Sequence, residues 1–201
     1  MALIKLNNRS IKDVTSLPFG VGNLIHIQSQ TASNSASISF TTGINSTYKE
    51  YQFWFVDINP ATDSVEFQFN LSTDSGSNYN VTKTTTNFYA YHQESGANTF
   101  FDYDAGRDLA QSTSFQELIR QVGNGADESC SGTLQLFNPA STTYVKHFIA
   151  NTNGYLASGA NDFSVNGYVA GYGNTTSAVN AVQFKMSSGN MDGTILMYGI
   201  V

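Results

Sequence analysis

The side chains best suited to chemistry are few and scattered in this chain of 201 residues. Its three histidines, His26, His92 and His147, each stand alone in a strand-like run, without the His-x-His or HExxH spacing of a metal site. A catalytic base or a ligand needs partners, so this pattern favours structural, hydrogen-bonded histidines. Cys130, in DESCSGT, has no neighbouring histidine, and we expect it to be an inert small residue.

The densest acidic group is FFDYDAGRD, which contains Asp102, Asp104 and Asp108. Asp-x-Asp followed by Gly is typical of oxygen ligands for calcium, but the further ligands of an EF-hand loop are missing. An ion pair of Arg107 with Asp104 or Asp108 is favoured over a metal ion. A polysaccharide hydrolase acting through Asp102, Asp104 or Glu94 would need two carboxylates about 5–9.5 Å apart. Nothing in the sequence guarantees such a pair, and we expect neither an enzyme nor a cofactor.

Aromatic side chains offer a different chemistry, since their rings can stack on sugars. The glycine-rich run GYVAGYG (167–173) lacks the Lys-Ser/Thr of a phosphate-binding loop, but it presents Tyr168 and Tyr172 between glycines. These two tyrosines are candidate contacts for a glycan or for a neighbouring subunit. Trp54 lies within FWFV, a run expected to be buried, and we predict a role in the core.

The overall composition argues against several classes of function. Nine basic and fifteen acidic residues give a net charge of −6, which provides no basic footprint for nucleic acid. No apolar run approaches the ~20 residues of a transmembrane helix, so membrane insertion is not expected. The opening MALIKLNNRSIKDV lacks the apolar core of a signal peptide, and a single cysteine is typical of assembly in a reducing cytoplasm. Charged residues are only 12%, which suits strands with neutral polar outer faces.

Most of the chain shows the alternation of half-buried strands. In VEFQFNLS (65–72), apolar and polar residues alternate with a period of two. YQFWFVDI (51–58) is apolar on both faces, which predicts a central strand that is covered on each side. Glycine and polar clusters separate the strands, which is the punctuation of an all-β sandwich or barrel, and we expect an antiparallel β-sandwich. Further strands are predicted at 36–40, 87–92, 133–137, 143–150, 180–186 and 194–200.

One segment departs from the strand pattern. In SFQELIRQVGNG (114–125), Ser114 and Glu117 match a capping box, three apolar side chains share a helical face, and Gly123 stands where a helix ends. The segment predicts one short α-helix between two blocks of strands.

The sequence Asn-Pro-Ala-Thr/Ser occurs twice, at 59–62 and 138–141, each time between two apolar runs. Asn suits position i of a β-turn, and Pro fixes φ for position i+1. Both copies are therefore predicted to be hairpin turns, one on each side of the predicted helix.

Residues 1–22 differ in character from the rest of the chain. They contain Lys5, Arg9 and Lys12, a third of the basic residues, and end in LPFGVG, whose proline and glycines break regular structure. They are predicted to be an N-terminal arm that attaches to a partner, with an ordinary first strand at ALIKL as the alternative. Residues 23–201 are predicted to form a single β-sandwich domain.

Three stretches together resemble small virion proteins of marine tailed phages, particularly cyanophages. They are the opening ALIKLNNRSIKDVTSLP, the centre GTLQLFNPASTTYVKHFIANTNGY and the end GNMDGTILMYGI, and the likeness spans most of the 201 residues. The resemblance implies a β-sandwich or jelly-roll module that forms head decorations, tail parts or fibres, usually as a symmetric homo-oligomer. It implies no catalytic residues.

We therefore expect a non-enzymatic structural protein of a bacteriophage virion, made in the host bacterial cytoplasm. It would be a capsid decoration (cement) protein or a tail or fibre component that acts by assembly with other capsid or tail proteins. The alternative is a carbohydrate- or receptor-binding module of a phage fibre, in which Tyr168 and Tyr172 stack on a host surface glycan. An exposed aromatic strip would favour this alternative, and rings that all face the core or a subunit interface would argue against it.

Overall fold

The computed structural model describes residues 24–158 and 161–201, which form twelve β-strands and no helix. Every strand pair is antiparallel. The strands are β1 (Leu24–Ser35), β2 (Ile38–Phe40), β3 (Glu50–Pro60), β4 (Val65–Ser72), β5 (Lys83–Gln93), β6 (Thr99–Tyr103), β7 (Gln116–Val122), β8 (Cys130–Phe137), β9 (Lys146–Ser158), β10 (Asn161–Gly173), β11 (Ala181–Met186) and β12 (Met191–Ile200).

Two sheets pack face to face with matching strand order. The larger sheet has the order β1-β12-β3-β8-β9-β10-β5-β6, and the smaller sheet has the order β2-β11-β4-β7. The first four strands of the larger sheet are the sequence neighbours of the four strands of the smaller one: β1 with β2, β12 with β11, β3 with β4, and β8 with β7. This is the order of a jelly roll, in which a long antiparallel hairpin rolls up into two sheets. The predicted antiparallel, jelly-roll-like β-sandwich is confirmed.

Two hairpins are inserted into this framework and widen the larger sheet. The hairpin β5–β6 comes between β4 and β7, and the hairpin β9–β10 comes between β8 and β11. Strand β7, at the edge of the smaller sheet, lies over β9, where the Thr152 hydroxyl donates to the Leu118 carbonyl at 2.6 Å. Strand β6 is exposed on both faces, because no part of the smaller sheet covers it among the described residues.

The core lies between the sheets and is rich in aromatic rings. Phe184 of β11 is central, with its ring centroid 5.1 to 6.3 Å from those of Phe40, Phe53, Phe55 and Phe67. Most of these pairs are edge-to-face or tilted, the geometry that the ring quadrupole favours. Each buried ring contributes about 1.5–3 kcal/mol through removal of apolar surface from water.

The helix predicted at 114–125 is wrong, because this segment forms strand β7 and pairs with β4. Both Leu118 and Ile119 are buried, although neighbouring residues of a regular strand point to opposite faces. Two irregularities in the β4–β7 register allow this, as β-bulges do. The bulges therefore explain why the apolar residues have a helix-like spacing. Pairing with β4 outweighed the local capping signal.

The two Asn-Pro copies have different outcomes. The copy at 138–141 is a turn as predicted, since the Ser141 amide donates to the Asn138 carbonyl at 3.0 Å. In the other copy, Asn59 and Pro60 are the last residues of β3, and the turn follows them. That turn leads into β4 of the opposite sheet, so it is an arch between sheets and the hairpin prediction is wrong there.

The predicted arm, residues 1–22, lies outside the described residues, and the candidate partner contacts Lys5, Arg9 and Lys12 lie there with it. Their role therefore stays a prediction.

Candidate functional site

Ion pairs cluster around Arg107, in the loop between β6 and β7. Its guanidinium lies 2.7 Å from Glu117 Oε2 and 3.3 Å from Glu66 Oε1. Asp104 Oδ2 is 3.4 Å from both Arg107 and Arg120, so the predicted Asp104–Arg107 ion pair is confirmed. The contact between Arg107 and Glu117 is electrostatic, because the Arg107 Nε–H and the Glu117 Oε2 are not aligned as a hydrogen bond.

The pKa values in this cluster follow from burial and from mutual charge. Burial raises the pKa of Glu117, Arg107 opposes this effect, and the nearby Glu66 and Asp104 carboxylates add to it. Burial acts to lower the pKa of Arg107, but the three carboxylates outweigh it and hold that pKa above its usual value. The guanidinium is a permanent cation that ties β4, β7 and the loop before β7 together.

The remaining acidic candidates have local partners. Asp102 accepts a hydrogen bond from the Tyr103 amide at 2.8 Å, and Asp108 accepts one from the Tyr103 hydroxyl at 2.5 Å. The hydrogen bond that the Tyr103 hydroxyl donates to Asp108 raises the pKa of Tyr103. Within 24–158 and 161–201, no group of three or more His, Cys, Asp or Glu side chains could hold a metal ion. Glu94 follows β5 and lies in the turn of the β5–β6 hairpin.

The cysteine is buried, as expected of an inert residue, whereas all three histidines have exposed side chains. His26, His92 and His147 lie on β1, β5 and β9, and the His26 ring is 2.7 Å from the Ser29 hydroxyl. Cys130 is buried in the core, where burial raises the pKa of its thiol and keeps it protonated.

The outer face of the larger sheet is free of charged side chains over the central part of its six central strands, and it is bordered by the acidic residues Glu50 and Asp57 of β3, Asp162 of β10 and Asp192 of β12. These strands are β12, β3, β8, β9, β10 and β5, and alternation along each of them sends every second side chain outward. We call this surface the neutral face, because none of its side chains is Asp, Glu, Lys or Arg. It consists of Thr194, Leu196, Tyr198, Gln52, Trp54, Val56, Thr133, Gln135, Phe137, His147, Ile149, Asn151, Asn153, Ser164, Asn166, Tyr168, Ala170, Tyr172, Thr84, Thr86, Phe88, Ala90 and His92.

Trp54 lies on the neutral face, so its predicted core role is wrong. Phe53 and Phe55 point inward, and alternation therefore sends Trp54 outward, where it is 38% exposed. Its ring packs against Tyr198 of β12 at a centroid distance of 5.0 Å. The predicted central position of this strand is confirmed, but Trp54 and Val56 (41% exposed) show that no described residue covers its outer side.

Tyr168 and Tyr172 also point outward, but from strand β10 and not from a glycine-rich loop. Tyr168 stacks on Phe88 of β5 with the ring centroids 5.0 Å apart and 13° between the planes. Tyr172 meets His147 of β9 edge to face at 6.0 Å. Both tyrosines are half-buried by these neighbours, which leaves part of each ring accessible.

A groove of about 500 Å³ crosses the neutral face beside Tyr172. Its floor carries small side chains, because Ala170 lies directly opposite Thr86 in the β5–β10 register. Tyr172 of β10 and His147 and Ile149 of β9 also line it. The groove thus combines aromatic surface with threonine hydroxyls and carries no charge.

Two buried lysines are the polar residues that the sequence did not reveal. Lys83 of β5 and Lys146 of β9 lie opposite Gly173 of β10, one on each neighbouring strand, and both point into the sandwich. The Lys83 ammonium donates to Asn70 Oδ1 at 2.5 Å and to the Val81 carbonyl at 2.9 Å. Burial lowers the pKa of Lys83 to about 7 and also lowers that of Lys146. The alternation of β5 could have revealed the burial of Lys83, because Lys83 lies on the same face of the strand as the inward-pointing Thr85 and Asn87.

Comparison of the chain with protein-family models and with curated protein sequences found no match. Among the described residues, no helix is long and apolar enough to cross a membrane.

Proposed function

We propose that this chain is a non-enzymatic structural protein of a tailed-phage virion that binds neighbouring subunits through the neutral face. The neutral face is the observation that carries the proposal. The six strands of the neutral face, about 4.8 Å apart and each contributing about 20 Å of length, give it an area of roughly 580 Å². A stable interface buries about 800 Å² on each partner, so the neutral face supplies most of the area that specific assembly needs.

The chemistry of the neutral face favours a protein partner. Trp54, Val56 and Ile149 expose apolar surface on it, and burial of that surface stabilises a complex. No ionised side chain has to be desolvated there, which removes the main cost of burying a polar surface. Two copies that each carry a net charge of −6 repel one another least where their contacting faces are uncharged.

The virion context rests on the resemblance of the sequence to small proteins of marine tailed phages. The jelly-roll strand order agrees with it, since jelly rolls are common in viral capsid and lectin domains. The exposed aromatic rings of the neutral face support the assembly role in either a head or a tail protein.

Incorporation into phage particles tests the proposal. A tagged chain should copurify with particles from infected cells, and Ile149→Lys should fold normally but be excluded, because it places a charge in the centre of the neutral face. Thr73→Lys, in the exposed loop after β4, is the matched control and should be incorporated like the wild type. Absence of the wild-type chain from particles would refute the virion role. Normal incorporation of Ile149→Lys would refute the neutral face as the contact.

A second candidate function is the binding of a host surface glycan in the groove beside Tyr172. The groove offers an aromatic ring for the C–H face of a sugar and the Thr84 and Thr86 hydroxyls for hydrogen bonds. Calorimetry with host surface polysaccharide tests this function, with Tyr172→Ala expected to lose binding and Tyr103→Ala, outside the groove, to keep it. No heat of binding for the wild-type chain would exclude the glycan.

A further inference from the structure

Strand β6 has the properties of an interaction edge. It ends the larger sheet, all five of its residues are exposed, and no described strand pairs with its outer edge. Phe101 is 70% exposed, Tyr103 46% and Phe100 41%. Natural proteins protect such edges with lysine, proline or bulges, because unpaired amides and carbonyls recruit other strands. The sequence TFFDY contains neither lysine nor proline, and its register with β5 is regular.

The free edge presents a defined set of backbone groups. The Asp104 amide donates to the Asn87 carbonyl at 2.8 Å, which sets the phase of hydrogen bonding between β5 and β6. Bonding direction alternates along an antiparallel strand. Thr99, Phe101 and Tyr103 therefore direct their amides and carbonyls away from β5, toward the free edge.

We propose that β6 pairs antiparallel with β6 of a second copy of this chain, about a two-fold axis that passes beside Phe101. This inference rests on the proposed role as an assembly protein and names one of its partners. In this register Phe101 lies opposite itself and exchanges two hydrogen bonds with it. Thr99 lies opposite Tyr103, and each Thr99 amide donates to a Tyr103 carbonyl. The Tyr103 amide keeps its bond to Asp102, so the opposing Thr99 carbonyl is left to water.

The charge of Asp102 favours this register over one in which the two-fold axis passes beside Asp102. Asp102 is the one charged residue of β6, and an axis through Phe101 places it opposite Phe100. An axis through Asp102 would set two carboxylates opposite each other, which is destabilising. The pairing also covers Phe101, whose ring already packs on Phe88 of the neutral face at 5.7 Å. Because only five residues pair on each side, we expect association that depends on protein concentration.

Cross-linking tests the register directly. Opposed Cα atoms in a hydrogen-bonded antiparallel pair lie about 5.5 Å apart, within the range of a disulfide. The full chain carrying Phe101→Cys should form a disulfide dimer under mild oxidation, as seen on a non-reducing gel. Wild-type protein should not, because its one cysteine, Cys130, is buried. The matched control is Thr73→Cys, in the exposed loop after β4 and outside both β6 and the neutral face, and equal dimer yields from both variants, or none from Phe101→Cys, would overturn the proposal.

Light scattering over a range of concentrations tests the edge hydrogen bonds. Phe101→Pro removes an amide that points to the free edge and leaves the β5–β6 bonds in place, so dimerisation should weaken about tenfold or more. Phe101→Lys is a second variant, to be used if the proline variant does not fold. It places like charges opposite each other and should weaken dimerisation to a similar degree. A wild-type chain that stays monomeric, or variants that dimerise equally well, would refute β6 pairing. Such a result leaves the virion role standing, since that role depends on incorporation into particles.

Discussion

Replacing the buried Lys83 by methionine should stabilise the sandwich at neutral pH, although it removes two hydrogen bonds. The Lys83 ammonium has only neutral oxygen acceptors, Asn70 Oδ1 and the Val81 carbonyl, and forms no ion pair with any described carboxylate. Burial lowers the pKa of Lys83 from 10.5 to about 7. The folded protein therefore holds this proton less tightly than the unfolded chain does.

The magnitude follows from that difference in pKa. At ~1.4 kcal/mol per pH unit, the fall from 10.5 to about 7 costs the folded state roughly 5 kcal/mol at neutral and lower pH. In the Lys83→Met variant the Val81 carbonyl loses its donor, at a cost of about 1–3 kcal/mol. Asn70 Oδ1 keeps the bond from the Leu71 amide at 2.8 Å. We expect a net gain of about 2 kcal/mol at pH 7.

The pH dependence distinguishes this cause from better packing. Between pH 10.5 and about 7 the unfolded chain binds a proton that the folded protein does not, so the wild type loses stability as the pH falls through this window. Above pH 10.5 the lysine is neutral in both states and the cost vanishes. The advantage of the methionine variant should therefore be full near pH 7, shrink as the pH rises and reverse near pH 10.

Urea unfolding of both proteins at several pH values from 6 to 10 measures the difference. Lys185→Met is the control, because the Lys185 ammonium lies over the exposed side of the fold, 4.7 Å from the Phe115 ring centre, and this change should leave the pH dependence intact. A Lys83→Met protein that is less stable at pH 7, or whose advantage is independent of pH, would refute the reasoning.

Two further predictions concern the ion pairs around Arg107 and a close approach of the two sheets at Gly167. Arg107→Met leaves the Glu117 and Glu66 carboxylates without their main cation and should destabilise the fold by about 2 kcal/mol at pH 7, given partial exposure. Part of this loss should be recovered near pH 5, because burial raises the pKa of Glu117 and this carboxyl group becomes protonated, and equal losses at both pH values in urea unfolding would contradict the prediction. Gly167→Ala brings a Cβ within 2.7 Å of the Leu118 carbonyl and should cost about 1–3 kcal/mol. A Gly167→Ala protein with the melting temperature of the wild type would contradict this prediction.

Local pattern predicted some strands very well and others poorly. The strand at 65–72 was predicted with its observed bounds, because alternation of apolar and polar residues is a property of the segment itself. Strand β10 was missed, since its glycines have low strand propensity. Its pairing with β9 on one side and β5 on the other supplies the stability.

The candidate site was predictable in its residue types but not in its geometry. Tyr168 and Tyr172 were identified as accessible, and the neutral composition anticipated an uncharged outer face. Trp54 was misplaced because its hydrophobicity suggested burial, whereas the phase of β3 sends it outward. The exposed edge of β6 was not predicted, because an edge exists only once the order of strands in the sheet is known.

By itself, the sequence determined that the chain is an antiparallel all-β sandwich with a large aromatic core and little surface charge. These properties follow from composition and from a period of two, which any short segment displays. Only the tertiary structure decided that 116–122 is a strand, that Lys83 is buried and that six strands of one sheet share the neutral face. The reason is that strand partners lie far apart in sequence, and a shift of one residue in register exchanges the buried and exposed faces of a strand.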